Sequence, residues 1–161
     1  MPTQIAWPDN AARRTVLLTG ASGVVGRALL QRLRDFDVVC LVHRSPVCGP
    51  DLTTVRGDIS EPMLGLGEQA YAELAARVDA VIHCAAVTSF NRTAGSLEAT
   101  NIAGTQRVAA FAAAADAVLY HVSTAFAGTT AAAKAATRCV PAMLVASRLP
   151  AVRLKLVTAA Q

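Results

Sequence analysis

Aromatic residues, charged residues and long apolar runs are all scarce in this sequence of 161 residues. Aromatics make up 4% and charged residues 16%, whereas hydrophobic residues make up 53%, so alanine, valine and leucine must supply most of the core. This balance excludes a largely disordered chain. No run of 18 apolar residues is free of polar interruption, so we predict no membrane span.

Acidic residues are missing from the end of the chain. The segment from Met1 to Asp116 contains ten Arg against eleven Asp and Glu, a net charge of −1. The segment from Ala117 to Gln161 contains two Lys and three Arg but no acid, a net charge of +5. The positive charge therefore belongs to the tail and not to a face of the fold, so we predict no nucleic-acid partner.

Cysteines with the spacing of a metal or redox site are also missing. Cys40, Cys48, Cys84 and Cys139 form no CxxC pair, and the three histidines form no ligand pattern around them. Cys40 and Cys84 lie inside apolar runs, where buried reduced thiols are common. The first nine residues lack the basic and apolar regions of a secretory signal. We predict reduced cysteines, no metal site and a cytoplasmic location.

Short apolar runs rich in β-branched residues alternate with amphipathic segments along the chain. Strands are predicted at 15–19, 37–43, 53–56, 80–84 and 118–122, and helices at 24–34, 68–77 and 97–115. Strands that are apolar on both faces and separated by helices are typical of a parallel sheet. The pattern therefore predicts an α/β fold, a doubly wound (Rossmann) sheet with strand order 3-2-1-4-5.

The chain divides into three predicted parts. Residues 1–14 form a lead segment, residues 15–128 form an NAD(P)-binding Rossmann domain, and residues 129–161 form an atypical basic tail without a substrate domain. Within the tail, the alternation over 152–156 favours one edge strand with a charged outer face. The tail fits a diverged end, a truncated reading frame or a frame-shifted one.

The strongest candidate site is the glycine-rich segment TGASGVVG at 19–26. It follows a predicted strand and opens a helix, which is the context that a dinucleotide-binding glycine motif needs. Gly20 permits the tight turn, Gly23 lets the backbone approach a pyrophosphate, and Gly26 lets the helix pack closely on the sheet. The N–H groups at the start of the helix favour phosphate binding. A glycine-rich turn without a ligand is the alternative. The cofactor-binding residues assigned here are Gly20, Ser22, Gly23, Val24, Val25 and Gly26.

The residues after the second strand decide between the two dinucleotides. An acid there would bind the ribose 2′-hydroxyl of NAD, whereas a cation suits the 2′-phosphate of NADP. The sequence reads His43-Arg44-Ser45, and Asp37 lies at the opposite end of the strand. We therefore assign His43 and Arg44 to the cofactor site and predict that NADP(H) is preferred, with NAD(H) also accepted. The alternative is an exposed loop arginine.

Three further segments complete the predicted cofactor site. Asp58 and Ile59 follow the third strand. There an Asp side chain can accept a hydrogen bond from the adenine amino group, or it can cap a turn. Ala85 and Ala86 follow the fourth strand and are small enough for the backbone to lie against the ribose and phosphates. Asn101 lies within a predicted helix, and because asparagine is a poor helix former, a reason other than helix propensity is expected for it. The alternative to cofactor binding is a local kink or a packing contact.

The hydroxyls of Ser123 and Thr124 follow the fifth strand and face the position of a nicotinamide ring. One of them can hydrogen-bond a substrate oxygen, and the alternative is a pair of strand-end caps.

Taken together, these segments resemble the extended short-chain dehydrogenase/reductase family. The resemblance rests on TGASGVVG (19–26), GDIS (57–60), HCAA (83–86), NIAGT (101–105) and HVSTAF (121–126), in that order. The stretch 57–75 resembles more narrowly the branch of thioester reductases and fatty acyl-CoA reductases. That resemblance implies reduction of an acyl thioester to an aldehyde or alcohol with NADPH.

The same resemblance implies a catalytic hydroxyl at Thr124, supported by Ser123, and a Tyr-x-x-x-Lys motif on the next helix. This sequence departs from the family there, because no tyrosine follows Tyr120 and the motif is absent. The nearest look-alike, 144–148, offers leucine and arginine, which can neither donate a proton nor tune a proton donor. We therefore predict an oxidoreductase by resemblance that is incomplete, inactive as this chain, and able to take an acyl thioester only when another domain completes it.

Three alternatives to this interpretation stay open. One is a dinucleotide-binding module without chemistry, which would bind NADP(H) without turnover. Another is a fragment of an extended-type epimerase, dehydratase or dehydrogenase acting on a sugar or steroid, against whose activity the missing tyrosine counts. The third is a chain that neither folds nor binds.

Overall fold

Six parallel strands form one sheet in the computed structural model, which describes residues 13–47, 49, 52–87, 94–123 and 154–158. The order across the sheet is β3-β2-β1-β4-β5-β6. The first five positions confirm the predicted doubly wound order, and β6 adds a parallel neighbour to β5. The strands are β1 Thr15–Thr19, β2 Asp37–Val42, β3 Thr53–Arg56, β4 Val78–His83, β5 Val118–Ser123 and β6 Leu154–Thr158.

Helices connect the strands. The α-helices are α1 Val24–Leu30, α2 Glu68–Ala75, α3 Ala94–Leu97 and α4 Thr105–Ala114. A π-helical segment, Glu98–Gly104, joins α3 to α4, and a 3-10 turn, Pro62–Gly65, precedes α2. None of the helices in the described ranges combines the length and the apolar character that a bilayer crossing requires.

The strands are apolar on both faces because helices cover both. On one face, Leu17, Val39 and Val81 share a core with Leu74 of α2 and Phe111 of α4. On the other face, Leu18, Cys40 and Ile82 pack with Leu29 and Leu30 of α1. Burying both faces accounts for the continuous apolar runs in the sequence and leaves polar groups to the strand ends.

Two helices differ from their predicted extents. The first ends at Leu30 and not at position 34, although Leu33 still donates its N–H to the Leu29 carbonyl at 3.0 Å. The predicted helix 97–115 is interrupted by the π-helical segment. Gly104 in that segment packs against Ile59, where a Cβ would lie 3.0 Å from the side chain.

Several predictions fall on residues beyond the described ranges. Thr124, the look-alike motif at 144–148 and most of 1–14 and 129–161 lie outside the described residues. Within the tail, Leu154–Thr158 forms β6 and pairs in register with β5, which places an edge strand close to the predicted one. The division into three parts stays a prediction.

Candidate cofactor site

The carboxyl ends of the central strands open into one cavity of about 460 Å³. It lies beside the point where the strand order reverses, between β1 and β4, which is where doubly wound sheets bind their ligands. The turn after β1, the ends of β2 and β3, the loop after β4 and the π-helical segment all contribute to its walls. The predicted site residues that line it are Gly20, Ser22, Gly23, His43, Arg44, Asp58, Ile59, Ala85 and Ala86.

The glycine turn is built by two close approaches. Gly20 has φ +74°, and a Cβ there would lie 2.5 Å from the Ala85 nitrogen, so only glycine fits. A Cβ on Gly26 would collide with the Gly20 carbonyl oxygen, so α1 packs closely on the turn that follows β1. Gly23 differs, because its φ is −74° and a Cβ would lie 3.3 Å from the nearest atom, the Gly20 oxygen.

The dihedral angles of Gly23 therefore do not require glycine, although a Cβ would make a tight contact with the Gly20 oxygen. Gly23 is the N-cap of α1 and lines the cavity. Val24 and Val25 follow it at the start of the helix, 89% and 39% exposed, and are not among the cavity-lining residues.

The end of β2 brings a histidine and an arginine to the cavity. His43 and Arg44 are exposed and line it together with Ser45. His43 Nε2 lies 3.2 Å from Asp58 Oδ2, so the ends of β2 and β3 are joined through this pair.

Asp58 is held on its other oxygen by Ser60. Oδ1 accepts the Ser60 N–H at 2.8 Å and the Ser60 hydroxyl at 2.6 Å. Burial by itself raises the pKa of Asp58, but these two hydrogen bonds and the nearby His43 and Arg44 charges outweigh it and lower the pKa below its usual value. Asp58 therefore caps its own turn as a carboxylate, and its contact with adenine stays a prediction.

The loop after β4, Cys84–Val87, is fixed by side chains from two other elements. Ala85 donates its N–H to Thr19 Oγ1 at 3.3 Å. Val87 donates its N–H to Asn101 Oδ1 at 2.8 Å, and its carbonyl accepts Asn101 Nδ2 at 2.9 Å. Asn101 thus holds the cavity wall and is not itself among the lining residues.

The sequence analysis missed a buried polar cluster beneath this loop. His83 at the end of β4 is fully buried between the hydroxyls of Thr19 and Thr105. Its ring stacks on His121, with the centroids 5.1 Å apart. Burial and the neighbouring His121 lower the pKa of His83 to about 3. A signal was present, since a histidine inside an apolar strand needs hydrogen-bond partners once it is buried.

The cysteines offer no nucleophile in the described part of the chain. Cys40 and Cys84 are both free thiols there. Cys84 lines the cavity, but burial raises its pKa to about 11, as it does for Cys40. Both thiols therefore stay protonated at neutral pH and are poor nucleophiles. The described residues also contain no cluster of side chains suited to a metal ion.

The predicted catalytic hydroxyls stay untested by the structure. Ser123 is the last residue of β5 and pairs in register with Thr158 of β6. Thr124 lies outside the described residues, so its role and that of Ser123 remain predictions.

A family model described as male sterility protein, an NAD-binding family, matches residues 45–157. Among curated relatives, a polyketide synthase-nonribosomal peptide synthetase, ffsA, of Aspergillus flavipes is 36% identical over 123 residues, covering 70% of this chain. The hybrid PKS-NRPS synthetase pvhA of Talaromyces variabilis is 43% identical over 94 residues, covering 55% of this chain. The matches span only 3% and 2% of those long proteins.

Solved structures show the same fold. The terminal R domain from the myxalamid PKS-NRPS biosynthetic pathway is 27% identical with a TM-score of 0.77, covering 94% of this chain and 49% of that one. A short-chain dehydrogenase/reductase superfamily protein from Agrobacterium tumefaciens, solved with bound NAD, is 20% identical with a TM-score of 0.67, covering 90% of this chain and 48% of that one. The chain thus spans about half of each. The chain belongs to the male sterility protein family, the thioester-reductase-like branch of the NAD(P)-binding extended short-chain dehydrogenase/reductases.

Proposed function

We propose that this chain is the NADP(H)-binding part of a thioester reductase that converts an acyl thioester to an aldehyde or alcohol. One observation carries the proposal: the glycine turn, the His43–Arg44 pair and the loop after β4 all line a single cavity at the switch point of the sheet. The likeness to the myxalamid R domain supports the reaction class. The relatives are multidomain synthetases, which supports an acyl thioester delivered by another domain.

The residues present fit a dinucleotide in a defined order. Gly23 lines the cavity at the start of α1 and has no side chain to fill it, and backbone N–H groups there suit the pyrophosphate. Asp58 and Ile59 line the cavity at the end of β3, where the adenine would lie. Ala85 and Ala86 have small side chains, so their backbone can approach the ribose on the β4 side.

NADP(H) fits this site better than NAD(H). The carboxylate of Asp58 is already bonded by His43 and Ser60, and Arg44 stands exposed at the same cavity. An exposed guanidinium is a strong partner for a phosphate monoester and a weak one for a neutral hydroxyl. We therefore assign the 2′-phosphate to Arg44.

The chemistry divides between cofactor and chain. When bound, NADPH supplies a hydride to a carbonyl carbon. The hydroxyl of Thr124 is assigned to hydrogen-bond the carbonyl oxygen, as the family resemblance implies. The chain offers no Tyr-x-x-x-Lys motif to donate the proton, so we propose that residues 1–161 alone bind the cofactor without turnover.

Thermal unfolding with each dinucleotide tests the proposal. A ligand that binds only the folded state at 100 times its Kd stabilises that state by about 2.7 kcal/mol. We expect NADPH to raise the melting temperature of the chain, and NADH to raise it less at the same concentration. If neither dinucleotide changes the melting temperature, the proposal is wrong.

A further inference from the structure

A buried chain of hydrogen bonds passes through His83 and joins the end of β1 to the start of α4. Thr19 Oγ1 lies 2.6 Å from His83 Nδ1, and Thr105 Oγ1 lies 3.1 Å from His83 Nε2. Thr19, His83 and Thr105 are 1%, 0% and 4% exposed. Water therefore does not replace these partners, and each polar atom depends on its protein neighbour.

The hydroxyl of Thr105 fixes which group donates and which accepts in each of these hydrogen bonds. It donates to the Asn101 carbonyl at 2.8 Å, and a hydroxyl has only one proton, so toward His83 it can only accept. His83 therefore carries its proton on Nε2 and accepts at Nδ1. The donor at Nδ1 is the hydroxyl of Thr19, whose oxygen in turn accepts the N–H of Ala85.

The ring of His83 is neutral in this arrangement. A proton on both nitrogens would leave Thr19 without an acceptor for its hydroxyl. It would also place a cation, cut off from water, against the stacked ring of His121. The tautomer with the proton on Nε2 is thus the one that satisfies Thr19, Thr105 and the ring together.

Both ends of this chain of hydrogen bonds reach the loop Cys84–Val87. One end is the Thr19 hydroxyl, which accepts the N–H of Ala85. The other end is Asn101, whose side chain bonds the N–H and the carbonyl of Val87. Ala86 lies between these two anchors, is exposed and lines the cavity. The hydrogen bonds through His83 therefore close a ring around the segment that faces the cavity.

We propose that His83 is a positioning residue whose Nε2–H tautomer holds the loop Cys84–Val87 in the shape that binds the dinucleotide. This inference rests on the proposed function for its effect on affinity, whereas the tautomer and the protection of the loop amides are properties of the free chain. Thr105 is the residue through which it can be tested, because Thr105 bonds His83 and does not line the cavity.

The first measurement is the tautomer of His83 in the full chain labelled with ¹⁵N-histidine. Two-bond ¹H–¹⁵N spectra are expected to show the proton on Nε2, unchanged from pH 8 to pH 5. In Thr105→Val, Nε2–H loses its acceptor, so the population is expected to move toward the Nδ1–H form. That form donates to Thr19 Oγ1, so the Thr19 hydroxyl loses its acceptor and must rotate away from the position in which it binds the N–H of Ala85. Thr105→Ser keeps the hydroxyl and is expected to keep the Nε2–H form.

The second measurement is the Kd for NADPH together with amide exchange at Ala85 and Val87. Thr105→Val is expected to weaken NADPH binding by about three- to tenfold, which is within the range for the net loss of one hydrogen bond, and to speed hydrogen exchange at both amides. Thr105→Ser is expected to retain the affinity and protection of the parent. Val108→Ala, a buried apolar truncation on the same helix, is expected to lower the melting temperature while leaving the Kd unchanged.

The outcomes separate the two proposals. A parent chain with His83 in the Nδ1–H form, or with a histidine ring that titrates between pH 8 and pH 5 at this position, overturns the inference. So does a Thr105→Val chain that binds NADPH and protects both amides as the parent does. If the parent shows the Nε2–H form and protected amides but no NADPH binding, the proposed function and the effect on affinity are wrong, while the hydrogen-bond chain stands.

Discussion

His43 and Asp58 meet at the mouth of the cavity, with Nε2 of the histidine 3.2 Å from Oδ2 of the aspartate. This pair joins the ends of β2 and β3. Asp58 is the only acid among the described residues that line the cavity, and its carboxylate is already bonded by His43. With that carboxylate engaged, we propose that Arg44 beside it selects between the two dinucleotides.

Replacing Arg44 should therefore change selectivity more than overall binding. Hydrogen bonds to charged groups contribute about 1.5–3 kcal/mol, so Arg44→Asp is expected to weaken NADP(H) binding by roughly 10- to 100-fold. NAD(H) lacks the 2′-phosphate and should be affected much less. Titration of both cofactors into the parent and the variant measures the ratio.

Arg34→Asp provides the matched control for this change in charge. Arg34 is exposed and precedes β2, at the end of the sheet away from the cavity. It should leave both affinities near those of the parent. Equal affinities of the unmutated chain for the two cofactors would contradict the assignment of Arg44.

Gly23 gives a test of the phosphate position that spares the fold. Its φ of −74° suits any residue, and a Cβ there meets only the Gly20 oxygen, at 3.3 Å. The Gly20 oxygen must shift slightly to admit this Cβ, so Gly23→Val is expected to fold with reduced stability and to lose NADPH binding, since its side chain fills the space assigned to the pyrophosphate. Circular dichroism checks the fold, and fluorescence titration checks the binding.

Gly67→Val is the control, because Gly67 is also the N-cap of a helix, α2, with a similar φ of −69°. A Cβ on Gly67 meets no atom within 4 Å, and this position is not part of the cavity. Binding by Gly67→Val should match the parent. A Gly23→Val chain that binds NADPH as tightly as the parent would show that the phosphates lie elsewhere.

Local sequence patterns predict this sheet well because each strand is apolar on both faces. The five predicted strands all appear, and β3 has the predicted bounds, Thr53–Arg56. The end of α1 was wrong because Leu33 continues the apolar spacing of the helix although it lies beyond its last turn. Periodicity records burial, and a buried leucine after a helix looks the same as one inside it.

The site was predictable where glycine or charge marks it and not where distant contacts build it. Gly20 and Gly26 stand out in the motif, and their close approaches are present. The π-helical segment contains Asn101, whose side chain accepts the N–H of Val87, 14 residues away, and no local pattern encodes that contact. The Thr19–His83–Thr105 chain likewise joins three separate elements. Composition and spacing therefore locate the cavity but not the network beneath it.

The buried histidine should make the fold sensitive to acid. The pKa of His83 is lowered from 6.5 to about 3 in the folded chain, so below pH 6.5 the unfolded state binds the extra proton. Stability from this group is complete above pH 6.5 and is lost as the pH falls toward 3, by at most about 1.4 kcal/mol per pH unit. Burial lowers the pKa of His121 as well, which acts in the same direction.

Urea unfolding at pH 7, 6 and 5 measures this dependence. His83→Gln removes the titrating group, so its free energy of unfolding should fall less steeply over that range, although its stability at pH 7 should be lower than that of the parent. The same slope in parent and variant would mean that His83 does not carry the acid sensitivity.

Asp116 marks a position where the chain can be stabilised. It follows α4 with φ 50°, and the N–H of Ala117 bonds the Ala112 carbonyl at 2.9 Å, as in a helix end closed by a left-handed residue. Glycine adopts this φ without strain, and removing an acid from a helix C-terminus also favours the dipole. Asp116→Gly is expected to stabilise the chain in urea unfolding by up to about 1 kcal/mol, because relief of a left-handed strain of roughly 1–2 kcal/mol exceeds the extra unfolded-state entropy of glycine. Asp116→Val, β-branched at positive φ, should destabilise it; the reverse order would contradict the left-handed assignment.

Turnover is the last property to test, and we expect none from residues 1–161 alone. A positioned general acid contributes on the order of 10²- to 10⁴-fold in rate, and the sequence has no tyrosine after Tyr120 to serve as one. Thr124 is proposed to orient an oxygen, and the sequence offers no Tyr-x-x-x-Lys motif whose lysine would assist proton transfer. Oxidation of NADPH in the presence of acyl-CoA thioesters and aldehydes should therefore stay at the rate without protein. If turnover occurs and disappears in Thr124→Ala, the chain holds a working site whose proton donor lies outside the family pattern, and the proposal that it binds without reacting is wrong.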